Sequence, residues 1–229
     1  MKNSGKALLA ALRLIGLAGA AVLILLAAAF LGVVIGGFVL HYLTWVLIGL
    51  WVLFTAFAFY FFRDPDPLVP TAANLVVSPG HGKVDAIDTV NEPEFMGGEC
   101  QRVSVFLSVV DVHVQCAPVT GRVACCKHTP GQYLSALKAE SAQFNENVLI
   151  GLEAAEPPGE KIGVRLIAGV IARRIVPWIK ENDAVQRGER ISLIQFGSRV
   201  DVYLPRRAKI KVKLGDKLAG GETAIAAFD

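Results

Sequence analysis

From Leu14 to Phe62 the chain carries no Asp, Glu, Lys or Arg, and no other feature constrains its fold as strongly. A segment this apolar belongs in a membrane, and it has the length for two helical spans of about 20 residues each. Gly36-Gly37 offers a break near the middle. The expected anchor is therefore a two-helix transmembrane hairpin over 1–63, with helices at about 10–35 and 38–62. A cleaved signal peptide fits less well, because its apolar core is shorter and no second span follows it. Lys2, Lys6 and Arg13 precede the run and Arg63 follows it, while the connecting turn has no Lys or Arg. By the positive-inside rule, both ends and the domain that follows are expected at the cytoplasmic face of the cell membrane.

The charge balance and the cysteines agree with that placement. Net charge is only +3, with no long basic run or aromatic-interleaved basic patch, so no nucleic-acid partner is expected. Basic residues beside a membrane suit anionic lipid headgroups instead. Cys100, Cys116, Cys125 and Cys126 read as free thiols in a reducing compartment. Cys125-Cys126 with His128 lacks a CxxC or second ligand pair, and no metal site is expected there.

The stretch FFRDPDPLVP (61–70) ends the apolar run, since its prolines cannot continue a helix in lipid. Residues 64–229 then suffice for one domain, and their signals are mostly β: LVVSP, GKVDAI, RVSVFLSVVDVHVQ, GRVACC, NVLIGLE and KIGVRLIAGVIARRIVPWI. Helix is sparse, limited to a turn near 131–137. The fold class is mostly β (α+β). Pro79-Gly80-His81-Gly82-Lys83-Val84 and Pro118-Val119-Thr120-Gly121-Arg122-Val123 share a P-x-x-G-basic-V pattern. Paired units of this kind resemble the barrel-sandwich hairpins of lipoyl and biotinyl domains, although the lysine tripeptides those domains modify do not occur.

The stretch GERISLIQFGSRVDVYLP (188–205) reads as two alternating strands joined at Gly197-Ser198, a common two-residue hairpin connection. Taken alone it is an ordinary turn. The same pair also permits chemistry: a serine hydroxyl in a strained turn can attack the preceding carbonyl, and glycine presents no side chain to obstruct it.

Several segments in order decide between these. FFRDP (61–65), VVSPGHGKV (76–84), VSVFLSVVDVHVQCAPVTGRV (103–123), NEN (145–147), IAGVIARRIV (167–176), ERISLIQFGSRVDVYLP (189–205) and GDKLAGGETAIA (215–226) together resemble the phosphatidylserine decarboxylase proenzymes of the short, membrane-anchored type. The resemblance implies self-cleavage between Gly197 and Ser198, giving a large chain 1–197 and a small chain 198–229. It implies conversion of Ser198 into a covalent pyruvoyl group, the cofactor that takes up electrons as phosphatidylserine loses carbon dioxide to become phosphatidylethanolamine. His113 matches the family's histidine at the substrate and is expected to do acid–base work.

Two positions depart from the family pattern. His81 stands where the family's Pro-Ala-Asp-Gly carries an aspartate that assists cleavage, so His81, or Asp85 nearby, is expected to supply the base. Cys116 stands where an arginine follows the histidine; Arg173, Arg174, Arg199 or Lys83 would have to supply the missing positive charge to the substrate. The partners implied are phosphatidylserine and membrane lipids, the two chains of one precursor, and a homodimer if strand edges are exposed. A membrane-tethered barrel-sandwich adaptor that binds lipid or protein without cleavage is the alternative, and a different serine-headed lipid remains open as substrate.

Overall fold

The apolar run folds as one helix. In the computed structural model, which describes residues 6–135, 144–170, 174–194 and 197–229, α1 (Lys6–Phe61) continues without interruption for 56 residues. The expected two-helix hairpin is thus corrected. A glycine inside a helix costs only about 1 kcal/mol against alanine. A break would orphan the N–H and C=O groups of two new helix ends, at several kcal/mol for each group in an apolar setting. Nothing in the run compels such a break, for it contains no proline. Gly16–Phe61 is long and apolar enough to cross a membrane.

The chain divides into two units, Met1–Ala58 and Phe59–Asp229, so the last residues of α1 belong with the β unit. Its strands are β1 (Leu75–Val77), β2 (Gly82–Glu92), β3 (Gly98–Leu107), β4 (Val114–Cys116), β5 (Thr120–Thr129), β6 (Asn147–Glu156) and β7 (Lys161–Ala168). There follow β8 (Ile175–Pro177), β9 (Ala184–Val185), β10 (Arg190–Ile194), β11 (Ser198–Leu204), β12 (Lys209–Ile210), β13 (Lys217–Leu218) and β14 (Ala224–Ala227). They form an eight-stranded sheet in the order β13-β2-β3-β11-β7-β6-β5-β9 and two three-stranded sheets, β1-β14-β12 and β4-β10-β8.

Alternation along the strands builds the core. Val103 and Val105 on β3, Val200, Val202 and Leu204 on β11, Val164 and Leu166 on β7, and Ile150 and Leu152 on β6 are fully buried together with Val76, Ile191, Ile194 and Ile225 from the smaller sheets. The shared P-x-x-G-basic-V pattern has one physical cause at both sites: a Cβ on Gly82 would lie 2.2 Å from the Phe106 carbonyl oxygen, and one on Gly121 would lie 2.2 Å from that of Glu153. Only glycine lets the neighbouring backbone approach so closely.

Two strand expectations need revision. The run 102–115 is not continuous, because a turn at 108–111 ends β3: Asp111 N–H donates to the Ser108 carbonyl at 3.0 Å, and the Asp111 carboxylate accepts from Ser108 N–H at 2.8 Å and Ser108 Oγ at 2.6 Å. The hairpin expected at Gly197-Ser198 is not formed either. β10 pairs with β4 and β8, whereas β11 pairs with β3 and β7. All seven residues of β11 are buried, and a strand so enclosed draws its hydrogen bonds from long neighbours on both edges. Of the turn expected near 131–137, residues 131–135 are not helical and Gln132 bridges Asn145; the remainder lies outside the described residues.

Candidate active site

Gly197 and Ser198 carry the chain from one sheet to another. Gly197 takes φ +67°, a left-handed conformation that favours glycine, and it delivers Ser198 to the first position of β11. Ser198 pairs with Leu107 on β3 and Ala168 on β7 and is fully buried. Its Oγ has no hydrogen-bond partner among the described residues. A hydroxyl buried unpaired costs about 1–3 kcal/mol, so the position fits a group kept for chemistry better than one kept for stability.

The turn at 108–111 brings His113 to this crossing. Its Nε2 accepts the Gly197 N–H at 3.1 Å, and its Nδ1 lies 2.8 Å from the Asp111 carbonyl. A carbonyl only accepts and an amide N–H only donates, so the ring is the neutral Nδ1–H tautomer with a basic Nε2 facing Gly197. Burial pushes the imidazole below its ordinary pKa, although the backbone of Asp111 pulls it up. Two further supports fix the ring. The ring of Phe61, itself 1% exposed, lies 4.2 Å from it at a 34° tilt. Gln115 Nε2 donates to the His113 carbonyl at 2.6 Å while Ser192 Oγ donates to Gln115 Oε1 at 2.7 Å.

His81 sits on a separate turn beside this crossing. A Cβ on Gly80 would meet Leu107 and Val200 at 3.6 Å, and one on Gly220 would lie 3.0 Å from His81 Cδ2. Burial lowers the His81 pKa, opposed first by the charge of Glu222 and then by that of Asp111. Asp111 and Arg63 act on both histidines. The two rings therefore share one electrostatic field, though only His113 touches Gly197 in a resolved hydrogen bond.

The other expected residues are distributed differently. Arg199, 2% exposed, points its guanidinium at Asp85 through two hydrogen bonds, one of 3.1 Å from Nη1 to Oδ1 and a second from Nη2 to Oδ2. That pairing commits both residues, with the Arg199 guanidinium and the Asp85 carboxylate turned toward each other. Arg174 is exposed before β8, and Arg173 lies outside the described residues. Cys116 is buried, with its thiol pushed up to about 11 by burial. Among the described residues no His, Cys, Asp and Glu cluster could hold a metal. Phe61, Asp111 and Gln115 were not expected from sequence; the only signal for them is that all three lie inside the quoted family segments.

The residues from 54 to 226 match the family described as phosphatidylserine decarboxylase. The chain belongs to that family. It is 42% identical over 180 residues to the phosphatidylserine decarboxylase proenzyme of Desulfotalea psychrophila, covering 79% of this chain and 83% of that one. It is 39% identical over 201 residues to the proenzyme of Ruegeria pomeroyi, covering 86% and 91%, and 42% identical over 197 residues to that of Geotalea uraniireducens, covering 84% and 91%. The matched region of the decarboxylase family begins within α1 and takes in every strand of the β unit up to β14.

Proposed function

We propose that this protein is a self-processing, pyruvoyl-dependent decarboxylase that converts phosphatidylserine to phosphatidylethanolamine and carbon dioxide, and that it cuts itself between Gly197 and Ser198. The observation that carries the reading is the contact of His113 Nε2 with the Gly197 N–H beside a buried, unpartnered Ser198 Oγ.

The cut follows from these atoms. Once the Ser198 hydroxyl turns to His113 Nε2 in place of the Gly197 N–H, Nε2 takes the Oγ proton as Oγ attacks the Gly197 carbonyl carbon. The Gly197–Ser198 C–N bond then breaks and the Ser198 nitrogen receives the proton, leaving Gly197 as an ester on Oγ. Removal of the Ser198 Cα proton expels Gly197 as a carboxylate and leaves a dehydroalanine, which hydrolyses to a pyruvoyl group with release of ammonia. The pyruvoyl group supplies the electrophilic carbonyl and electron sink that decarboxylation requires.

Each nearby side chain has a part. His113, held neutral by burial, carries the proton during cleavage and afterwards at the substrate. His81 stands where the family's aspartate would, and we assign it the second proton-carrying role, in the field it shares with His113. Arg174 is assigned to the anionic lipid surface. The apolar α1 suits a membrane anchor; with one continuous helix in place of the hairpin the charge rule no longer puts both ends on one face, and the proposed cytoplasmic placement of the β unit is supported by its free cysteines alone.

The test is the intact mass of protein purified from membranes in detergent and then denatured, beside Ser198→Ala. Two chains dividing before residue 198, with the small chain lighter by the difference between serine and pyruvoyl, are expected from the wild type and one chain from the variant. A single 229-residue chain from folded wild type would leave a lipid-binding relative that does not cleave.

A further inference from the structure

A cavity of about 380 Å³ opens beside the two histidines, lined by Arg63, His81, Lys83, Ser108, Asp111 and Lys217 among others. Its one carboxylate, Asp111, already accepts the Ser108 N–H and Oγ. Arg63 is oriented without being neutralised: it donates to the carbonyls of Tyr60 at 2.7 Å and Val110 at 2.6 Å and lies 4.0 Å over the Tyr60 ring. Lys83 and Lys217 are register partners on β2 and β13. Like charges placed directly opposite on paired strands repel, and among the described residues no ion pair engages either lysine. Three cations therefore line one cavity against a single carboxylate, Asp111.

We propose that Arg63, Lys83 and Lys217 hold the phosphodiester of the lipid substrate, a reading that rests on the decarboxylase function above. The register connects this cavity to the reacting residue. Lys217, Lys83, Phe106 and Arg199 form one row across four adjacent strands; Ser198 faces the other side of the sheet, at the strand end where Ser108 of the cavity follows Leu107, the register partner of Ser198. Two strand spacings, about 10 Å, separate the backbones of Lys83 and Arg199. In phosphatidylserine the phosphorus is three bonds from the carbon that loses its carboxylate, so a phosphate held in this cavity has to present that carbon past the strand end, by Ser108 and Val112, to residue 198. Val112, which lines the cavity, precedes His113. The positive charge that Cys116 cannot supply is thus provided by other residues, those of this cavity, and Arg199, paired with Asp85, is not required for it.

The experiment compares wild type with the K83Q/K217Q double variant in mixed micelles. Processing is read by intact mass, and carbon dioxide release is followed against phosphatidylserine and against a serine fatty-acid ester that lacks phosphate. The double variant is expected to divide into the same two chains and to show a KM for phosphatidylserine raised roughly tenfold or more, the loss that follows when a charge-assisted contact is removed. Its KM for the phosphate-free ester should match that of wild type. Added salt should raise the wild-type KM for phosphatidylserine more than that of the variant. An unchanged KM, or an equal rise for both substrates, would overturn the phosphate site. Should the double variant fail to process, K83Q and K83R are read in the same way, with K83R expected to retain most of the affinity that K83Q loses; equal values for the two would also overturn the proposal. Absence of carbon dioxide release by fully processed wild type is a different result, because it removes the decarboxylase reading itself.

Discussion

At the scale of single residues, the site is built from groups whose burial sets their protonation. His113 and His81 are both held below their ordinary pKa by desolvation. In the unfolded chain they titrate near pH 6.5, so acidification below that value protonates the unfolded state first. These histidines therefore subtract stability as pH falls from about 6.5 through their folded values and subtract nothing above it. In the proposed mechanism self-cleavage needs neutral His113, so it should persist into mildly acidic buffer and fail only below the ordinary histidine range. Following the fraction of freshly synthesised precursor cut at each pH checks this; an acid limb above pH 6.5 would contradict it. The buried Arg199 makes Asp85 a structural partner. Asp85→Asn removes the carboxylate that pairs with that guanidinium and should destabilise the β unit by about 1–3 kcal/mol, measured by denaturant unfolding of the Ser198→Ala precursor. A change below ~1 kcal/mol would show that the pair is not needed to compensate the buried charge.

At the scale of elements, the decisive feature is the turn at 108–111 that stops β3 and swings His113 beneath Gly197. The periodicity of residues 102–115 gave no sign of it, because Val109 and Val110 keep an apolar pattern across the turn. The signal was the Ser108/Asp111 pair, a local hydrogen-bonded turn that competes with strand. The end of α1 is the second such case. Phe61 reads as the last apolar residue of a membrane run, yet it is buried against His113. Phe61→Ala should slow self-cleavage at least tenfold by loosening that ring, while Phe61→Tyr, which keeps the aromatic face, should cut faster than the alanine variant. Timed intact-mass measurements separate these, and equal rates for the two variants would assign Phe61 to packing alone.

At the scale of the whole molecule, the proposed cut falls inside a shared architecture. The small chain 198–229 would contribute β11 to the middle of the eight-stranded sheet and β14 to the middle of a three-stranded one. Fragments interleaved in this way should co-purify through native detergent chromatography and separate only on denaturation; elution of 198–229 by itself in native buffer would contradict the assignment. The outer strands of the large sheet, β13 and β9, have two residues each. They pair only with Gly82 and Lys83 of β2 and with Gly121 and Arg122 of β5, so among the described residues most of the outer edge of those two long strands is left without a strand partner.

Sequence by itself determined the apolar anchor, the β-rich domain after FFRDP and the family, because hydrophobic period and ordered motifs are local properties that one chain displays directly. It also singled out Ser198 and His113 by matching those motifs. Only the tertiary structure decided that α1 is one helix, that Gly197-Ser198 joins two sheets, that Arg199 belongs to Asp85, and that Arg63, Lys83 and Lys217 meet at one cavity. Alternation tells which face of a strand is buried but not which strand lies beside it. Distant partners such as Arg190 and Asp64, 126 residues apart, are chosen by long-range burial and backbone hydrogen bonding, which no local pattern records.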